Sequence, residues 1–320
     1  MLYANLWFML CRLSYKTKTN LIQKYQTAEN IWNALKDKDE IILKDDKIYF
    51  ELNSCNEKEV NSVKDKMEKE KIKFVTMEDK NYPLSLKNLN YPPYGLFYEG
   101  SIEELNKNKN VAIVGSRDCS YYGRNVTRNI AMALAKSNVN VISGMARGID
   151  SAAHINSLKG SGYTCAVLGC GTDVIYPREN KELYYNIIKK GCVISQFVPG
   201  TQPVSKNFPI RNAIISGLSD LVIVVEAGEK SGSLITARLA GEQGRDVIAV
   251  PGNIFSKTST GTNGLIRDGA HIYTSLDDIS SLIGVELNGI QKTKNVIKMN
   301  YIEKKLYNIR SILFKSKGLV

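Results

Sequence analysis

From residue 111 onward the chain repeats one pattern: a short run of β-branched and other apolar residues, a turn rich in glycine, then an amphipathic stretch. The apolar runs fall at 111–114, 139–143, 165–168, 193–196, 221–225, 247–250 and 271–274. Helical spacing fills segments such as 124–136, 180–190 and 233–243 between them. A strand that is apolar at nearly every position must be covered on both faces, and strands joined through helices run parallel. Right-handed crossovers then leave few topologies. The pattern predicts an α/β domain with a doubly wound, mostly parallel sheet.

The flanks read differently. Residues 1–72 look helical: an apolar opening at 1–13, a second stretch at 19–35, and a charged one at 56–73 with Val60, Val63, Met67 and Ile72 at helical spacing. The opening lacks a basic leader, a cleavage site and the length to span a bilayer, so a buried helix, no membrane insertion and a cytoplasmic location are expected. Two extended pieces follow at 74–77 and 94–98. Past residue 284 the chain turns polar, as a linker does, and ends in an amphipathic stretch at 301–313 carrying Lys304, Lys305 and Arg310. The expected division is a helical domain at 1–72, a sheet domain at 73–284, and a linker with a short helix at 285–320.

Composition narrows the partners. Hydrophobic residues make up 43% and charged ones 23%, which argues against disorder. Lysine and arginine total 43 against 32 acids, a net charge of +11. That excess favours a polyanion, nucleic acid ahead of an acidic membrane surface, although lysine-rich usage in an AT-rich genome gives the same balance. The six cysteines form no CxxC pair and read as reduced core residues, and two isolated histidines, His154 and His271, make no metal site.

In a doubly wound sheet, ligands sit at the carboxyl ends of the strands, where the strand order reverses. Four such ends carry small-residue loops. They are Gly115-Ser116-Arg117, then Ser143-Gly144-Met145-Ala146-Arg147-Gly148, then Gly169-Cys170-Gly171, and Glu226 through Ser231-Gly232-Ser233. Glycines let backbone amides approach an anion, and helix N-termini add partial positive charge. Strand-to-helix turning explains any one of these loops, but not four with Arg117 and Arg147 beside them. Gly169-Cys170-Gly171 lacks the third glycine of a dinucleotide fingerprint, and Glu229-Lys230-Ser231 lacks the upstream glycines of a Walker A loop. No cofactor is therefore expected.

The sharpest local signal is Lys206-Asn207-Phe208-Pro209-Ile210-Arg211-Asn212. An aromatic plate between cations suits unpaired bases and their phosphates, while the cost-free alternative is that Phe208 packs against the start of a helix beginning near Pro209. Asp150 and His154, four apart on one helix face, could mimic an acid/base couple but read better as a helix cap and a packed histidine.

These segments carry a resemblance. Gly115-Ser116-Arg117, Ser143 through Asp150 with Ala153-His154, Leu168 through Gly171 with Ile175-Tyr176-Pro177, and Asn207 through Asn212 look like the DprA/Smf family. So do Val225-Glu226-Ala227 with Ser231-Gly232-Ser233, Val250-Pro251-Gly252, and Gly261 through Ile266, in colinear order over residues 74–276. The resemblance implies an extended Rossmann-like domain behind a small helical domain of the SAM-like type. It also implies single-stranded-DNA binding without catalysis, a homodimer, and loading of a RecA-type recombinase during natural transformation. By motif match, Arg117 holds phosphate, Lys206 lines a basic pocket, Phe208 stacks on a base and Arg211 supports the same wall. The DNA-binding set is then Gly115, Ser116, Arg117, Ser143, Gly144, Arg147, Gly148, Lys206, Asn207, Phe208, Arg211, Asn212, Ser231, Gly232 and Ser233. Departures are Ala213, where an arginine is usual and whose loss puts affinity in doubt, and Gln196, where an acid is usual; a C-terminal winged-helix-like module is at most begun. The competing reading is a nucleotide or nucleoside-monophosphate hydrolase with Glu226 as its carboxylate. In the binding reading, Glu226 instead pairs with a cation such as Arg117 or Arg147.

Overall fold

The computed structural model describes residues 2–287. Its centre is one nine-stranded sheet, in which the strands are β1 (Lys73–Thr76), β2 (Gly95–Gly100), β3 (Asn110–Val114), β4 (Asn140–Ser143), β5 (Thr164–Val167), β6 (Cys192–Ser195), β7 (Leu221–Val224), β8 (Asp246–Ala249) and β9 (His271–Ile272). Their spatial order is β1-β2-β6-β5-β4-β3-β7-β8-β9. β1–β2 and β2–β6 pair antiparallel, and every other neighbour pairs parallel. The chain lays β3, β4, β5 and β6 outward in one direction, then returns beside β3 to lay β7, β8 and β9 in the other. The reversal therefore lies between β3 and β7.

Strand alternation sorts the core into two layers. Ala112, Val114, Ile142, Val167, Val222 and Val224 meet Ile214, Ile215 and Leu218 of helix Asn207–Leu218 and Ala237 and Ala240 of helix Gly232–Glu242. On the other face Val111, Ile113, Val141, Leu221, Ile223 and Ile248 meet helices Tyr121–Lys136, Ile149–Lys159 and Leu276–Ile283. All of these strand side chains are essentially fully buried, each valine, leucine and isoleucine worth roughly 1.5–3 kcal/mol for its removal from water. This is the doubly wound, both-faces-covered sheet that the continuous apolar runs demanded.

The amino-terminal segment is helical and rests on the sheet's antiparallel end. Leu6, Trp7 and Phe8 of helix Leu2–Leu10 are buried with Ile31, Leu52, Val60, Tyr94 and Phe97 in one cluster. Trp7 Nε1 donates to the Leu52 carbonyl at 3.1 Å, and the Phe8 ring meets Tyr94 edge-on at 4.8 Å. The stretch at 19–35 is two helices, Tyr15–Tyr25 and Ala28–Lys36, not one. Gln26 takes φ 73° and Thr27 caps the second helix by accepting from Asn30 N, a break that a polar pair without glycine or proline does not advertise. Among the described residues no helix is long and apolar enough to cross a membrane. The amphipathic stretch at 301–313 lies outside the described residues.

Candidate functional site

The carboxyl ends of β3 and β7 border a cavity of about 570 Å³. Gly115, Ser116, Arg117, Phe208, Arg211, Asn212, Lys230 and the Ser231-Gly232-Ser233 turn line it. A smaller recess of about 80 Å³ adjoins it and shares Arg117, Ala146, Phe208 and Arg211, adding Gly144, Arg147, Gly169 and Tyr176. The strand-order reversal thus opens a groove where the sequence placed its glycine loops.

Phe208 stands where the two hollows meet. It is the second residue of helix Asn207–Leu218, so the helix begins two residues before Pro209. Pro209 still falls in the first turn, where a missing N–H costs no intrahelical bond. The half-buried ring lies over Gly169, 5.8 Å from the Tyr176 ring. Arg117 Cζ is 5.6 Å from its centroid and Arg211 Cζ 5.7 Å. Two guanidinium groups against one ring add about 0.5–2 kcal/mol each, depending on exposure, and hold its orientation.

The two arginines differ. Arg117 is exposed, on the loop after β3, and among the described residues it makes no ion pair. Arg211 is buried and committed: Nη1 donates to the Gly144 and Val167 carbonyls, both at 2.6 Å, and Nε donates to Asn212 Oδ1 at 3.1 Å. Its partner in charge is the buried Asp150, since a Cβ on Gly144 would lie 2.5 Å from Arg211 Nη1 and 2.7 Å from Asp150 Oδ2. Burial lowers the Arg211 pKa and raises that of Asp150, while each group's charge opposes the shift of the other. Arg211, its charge answered by Asp150, therefore braces the floor of the groove, whereas the exposed Arg117 is free to clasp.

Other expected residues have internal duties. Ser143 is fully buried, its hydroxyl donating to the Ile113 carbonyl at 2.6 Å. Asn207 is buried and donates to the Gly169 carbonyl at 3.1 Å, tying the Phe208 helix to the loop under the ring. Gly148 takes φ 74°, and a Cβ there would strike the Ser116 and Arg117 carbonyls, so it seats the Arg117 loop from behind. Asn212 lines the cavity while donating to the Gly232 carbonyl. Arg147 stands at the rim, paired with Glu179. Lys206 is exposed at the head of the Phe208 helix and lines neither hollow. Ser231 caps helix Gly232–Glu242, directing that helix's amino terminus at the cavity, where it adds positive potential.

Three expectations need correction. Glu226 pairs with neither Arg117 nor Arg147. It is buried, accepting from Ser120 N at 2.8 Å and from the Ser120 and Thr258 hydroxyls, and so fastens the start of helix Tyr121–Lys136. Asp150 does not cap its helix: the cap position is Gly148, and the carboxylate folds back onto Ala146 N at 3.3 Å and toward Arg211. Ala213 does not face the groove; with Gln196 and Tyr15 it lines a different cavity, of about 380 Å³, where Tyr15 donates to Gln196 Oε1 at 2.6 Å. His154 is packed as expected, fully buried with Nδ1 2.7 Å from the Thr164 hydroxyl. Lys230 and Tyr176 line the groove although residue typing alone did not select them. The first sat in a rejected Walker-like tail, the second in the Ile175-Tyr176-Pro177 motif.

The family model described as DNA recombination-mediator protein A matches residues 73–284. DNA processing protein DprA of Bacillus subtilis (strain 168) is 42% identical over 208 residues, covering 65% of this chain and 70% of the relative. The protein of the same description from Streptococcus pneumoniae is 45% identical over 201 residues, 63% of this chain and 71% of the relative. The X-ray structure of DNA processing protein A from Streptococcus pneumoniae superposes with a TM-score of 0.77 at 32% identity, covering 90% of this chain and 99% of that one. A structure of DNA processing protein A from Helicobacter pylori, described for its single-stranded DNA binding mode, gives a TM-score of 0.61 at 30% identity over 67% of this chain and 98% of that one.

Proposed function

Because the chain belongs to the DNA recombination-mediator protein A family, we propose that it binds single-stranded DNA in the groove between β3 and β7 and mediates recombination without catalysing a reaction. One observation carries this reading: the half-buried Phe208 ring, with Arg117 and Arg211 both beside it, lines a groove rimmed by glycine turns. Stacking offers roughly 1–3 kcal/mol per base and accepts any base, while Arg117, Lys230 and the amides of the Ser231 turn meet the phosphates. The Helicobacter pylori relative, whose structure concerns single-stranded DNA binding, supports the same ligand.

The finer reading follows the family. The bound strand is handed to a RecA-type recombinase during natural transformation, by a homodimer acting in the cytoplasm. Residues 1–72 form the helical domain and 73–284 the DNA-binding domain. The rival reading, a nucleotide hydrolase, has less support, because Glu226 is 3% exposed and saturated by Ser120 and Thr258.

The test is oligo-dT affinity at two salt concentrations for the native chain, Arg117→Ala and Phe208→Ala. Arg117→Ala should flatten the log–log salt slope by about 0.7, one phosphate contact on a single strand. Phe208→Ala should weaken binding at both salts and keep the slope. Unchanged affinity in both variants removes the groove from consideration.

A further inference from the structure

We infer that the groove continues past β7 onto a second aromatic platform, built from Tyr121 and Phe255, on which further bases of the same strand stack. The inference rests on the single-strand reading above and extends it to a surface outside the Phe208 groove. Phe255, Tyr121 and Ile254 are 90%, 81% and 75% exposed. Single exposed apolar residues are ordinary, but clusters of them mark contact surfaces.

The chain ties together the two segments that carry them. Tyr121 opens the helix whose cap, Ser120, is fastened to Glu226. Thr258, three residues after Phe255, reaches the same carboxylate at 3.4 Å. The Tyr122 hydroxyl donates to the Pro251 carbonyl at 3.1 Å. The loop at 251–259 is thereby strapped to the start of helix Tyr121–Lys136. Its tip is shaped by Asn253, whose Oδ1 accepts from Phe255 N at 2.9 Å and whose carbonyl accepts from Ser256 N. A tip held this way presents its ring at low entropic cost.

The platform begins where the groove ends. Gly228 lines the cavity, and a Cβ placed on it would lie 3.1 Å from the Lys257 carbonyl. Ala227 N donates to the Thr258 carbonyl at 2.8 Å, and a Cβ on Gly261 would lie 2.8 Å from the Gly228 carbonyl. The loop bearing Phe255 is thus the outer bank of the wall that carries Lys230. On the opposite bank Arg117 and Asp118 line the cavity and lead through Cys119 and Ser120 to Tyr121. Arg124, one turn on from Tyr121, Lys257, two residues from Phe255, and Lys230 on the adjoining cavity wall are exposed, against exposed Asp118 and Glu229, an excess of one cation among the five. Aromatic faces among cations, continuous with a groove read as a strand's path, fit nucleotides leaving that groove better than an apolar protein surface.

The experiment uses the full chain, with oligo-dT of about 5 and about 15 nucleotides spanning the site sizes of single-strand grooves. Variants are Phe208→Ala and the double variant Tyr121→Ala with Phe255→Ala. Both residues of the double variant are solvent-exposed, and circular dichroism checks that it folds. The expected result is that Phe208→Ala weakens both oligonucleotides. The double variant should bind the short one normally and the long one about 10-fold or more weakly. If Phe208→Ala weakens both while the double variant holds the long one as tightly as the native chain, the platform is refuted and the groove survives. If Phe208→Ala changes neither, the reading beneath it fails first. A double variant that loses self-association by light scattering, with unchanged long-strand affinity, makes the patch a contact between copies and also overturns the inference.

Discussion

The ring of Phe208 rests on the bare backbone of Gly169: a Cβ there would fall 2.8 Å from Phe208 Cδ1 and 3.1 Å from Cε1. The glycine loop after β5 therefore sets the depth of the plate, a duty apart from any phosphate contact. Gly169→Ala should push the ring toward Tyr176 and Arg117 and spoil the stacking face. Oligo-dT affinity should fall by a sizeable part of the ~1–3 kcal/mol that one stacked base provides. Fluorescence anisotropy reads the loss, and native-like affinity would show that the ring's seat is unimportant.

Arg211 should prove structural before it proves functional. Its guanidinium satisfies the Gly144 and Val167 carbonyls and faces Asp150, all out of water. Arg211→Gln strands a buried carboxylate, which typically costs about 3–5 kcal/mol. Chemical denaturation should reveal that loss, whereas Arg117→Ala should cost no more than about 1 kcal/mol, the worth of an exposed cation–π contact. Equal stability losses in the two variants would contradict the division of labour between them.

A third prediction concerns the amino-terminal helices. Lys18 is 6% exposed, with Nζ donating to the Met9 carbonyl at 2.7 Å and standing 5.6 Å from the Phe8 ring centroid. Burial pulls its pKa down to about 8. A lysine whose folded pKa is depressed opposes folding wherever the unfolded chain holds the proton more tightly, that is, below about pH 10. Lys18→Met keeps most of the packed stem and removes the charge. It should raise stability at pH 7 by about 1–3 kcal/mol, a gain that shrinks as pH rises from about 8 and is gone above about 10.5. A destabilised variant at pH 7 would mean that the Met9 bond outweighs the cost of burial.

Much of this is legible in the sequence, and the reason is physical. Runs such as 111–114 and 221–225 are apolar at every position, which only a strand covered on both faces tolerates, so the sheet and its loops followed. Arg117, Phe208 and the Ser231 turn were readable because cations and an aromatic beside glycine turns have few other uses. Orientation was not readable. Ser143 and Asn207 are small polar residues that can face a ligand or satisfy a buried carbonyl, and here both do the second. Glu226 looked like a catalytic or pairing carboxylate because sequence cannot show that Ser120 and Thr258 would converge on it from two distant segments. Lys230 sits in a segment whose Walker-like spacing is a poor guide, since what puts it on the groove is its place on the wall that β7 builds.

His154 supplies a pH test of the core beneath the groove. It is fully buried, its Nδ1 shares a hydrogen bond with the Thr164 hydroxyl, and Nε2 has no partner among the described residues. Burial, reinforced by the Arg211 charge, pushes its pKa down to about 3. The folded state therefore keeps the imidazole neutral, while the unfolded chain protonates it near its ordinary value of 6.5. A depressed folded value means that the stabilising contribution is complete above about pH 6.5 and drains away as pH falls toward 3. Between pH 7 and pH 5 the loss from this group alone is about 2 kcal/mol, following one proton taken up on unfolding. His154→Asn retains a partner for Thr164 without a titrating ring. It should be less stable at pH 7 through the lost packing, yet its stability should fall by about 2 kcal/mol less over that pH interval, measured by urea denaturation at each pH. Parallel pH profiles for the two proteins would place the acid sensitivity elsewhere.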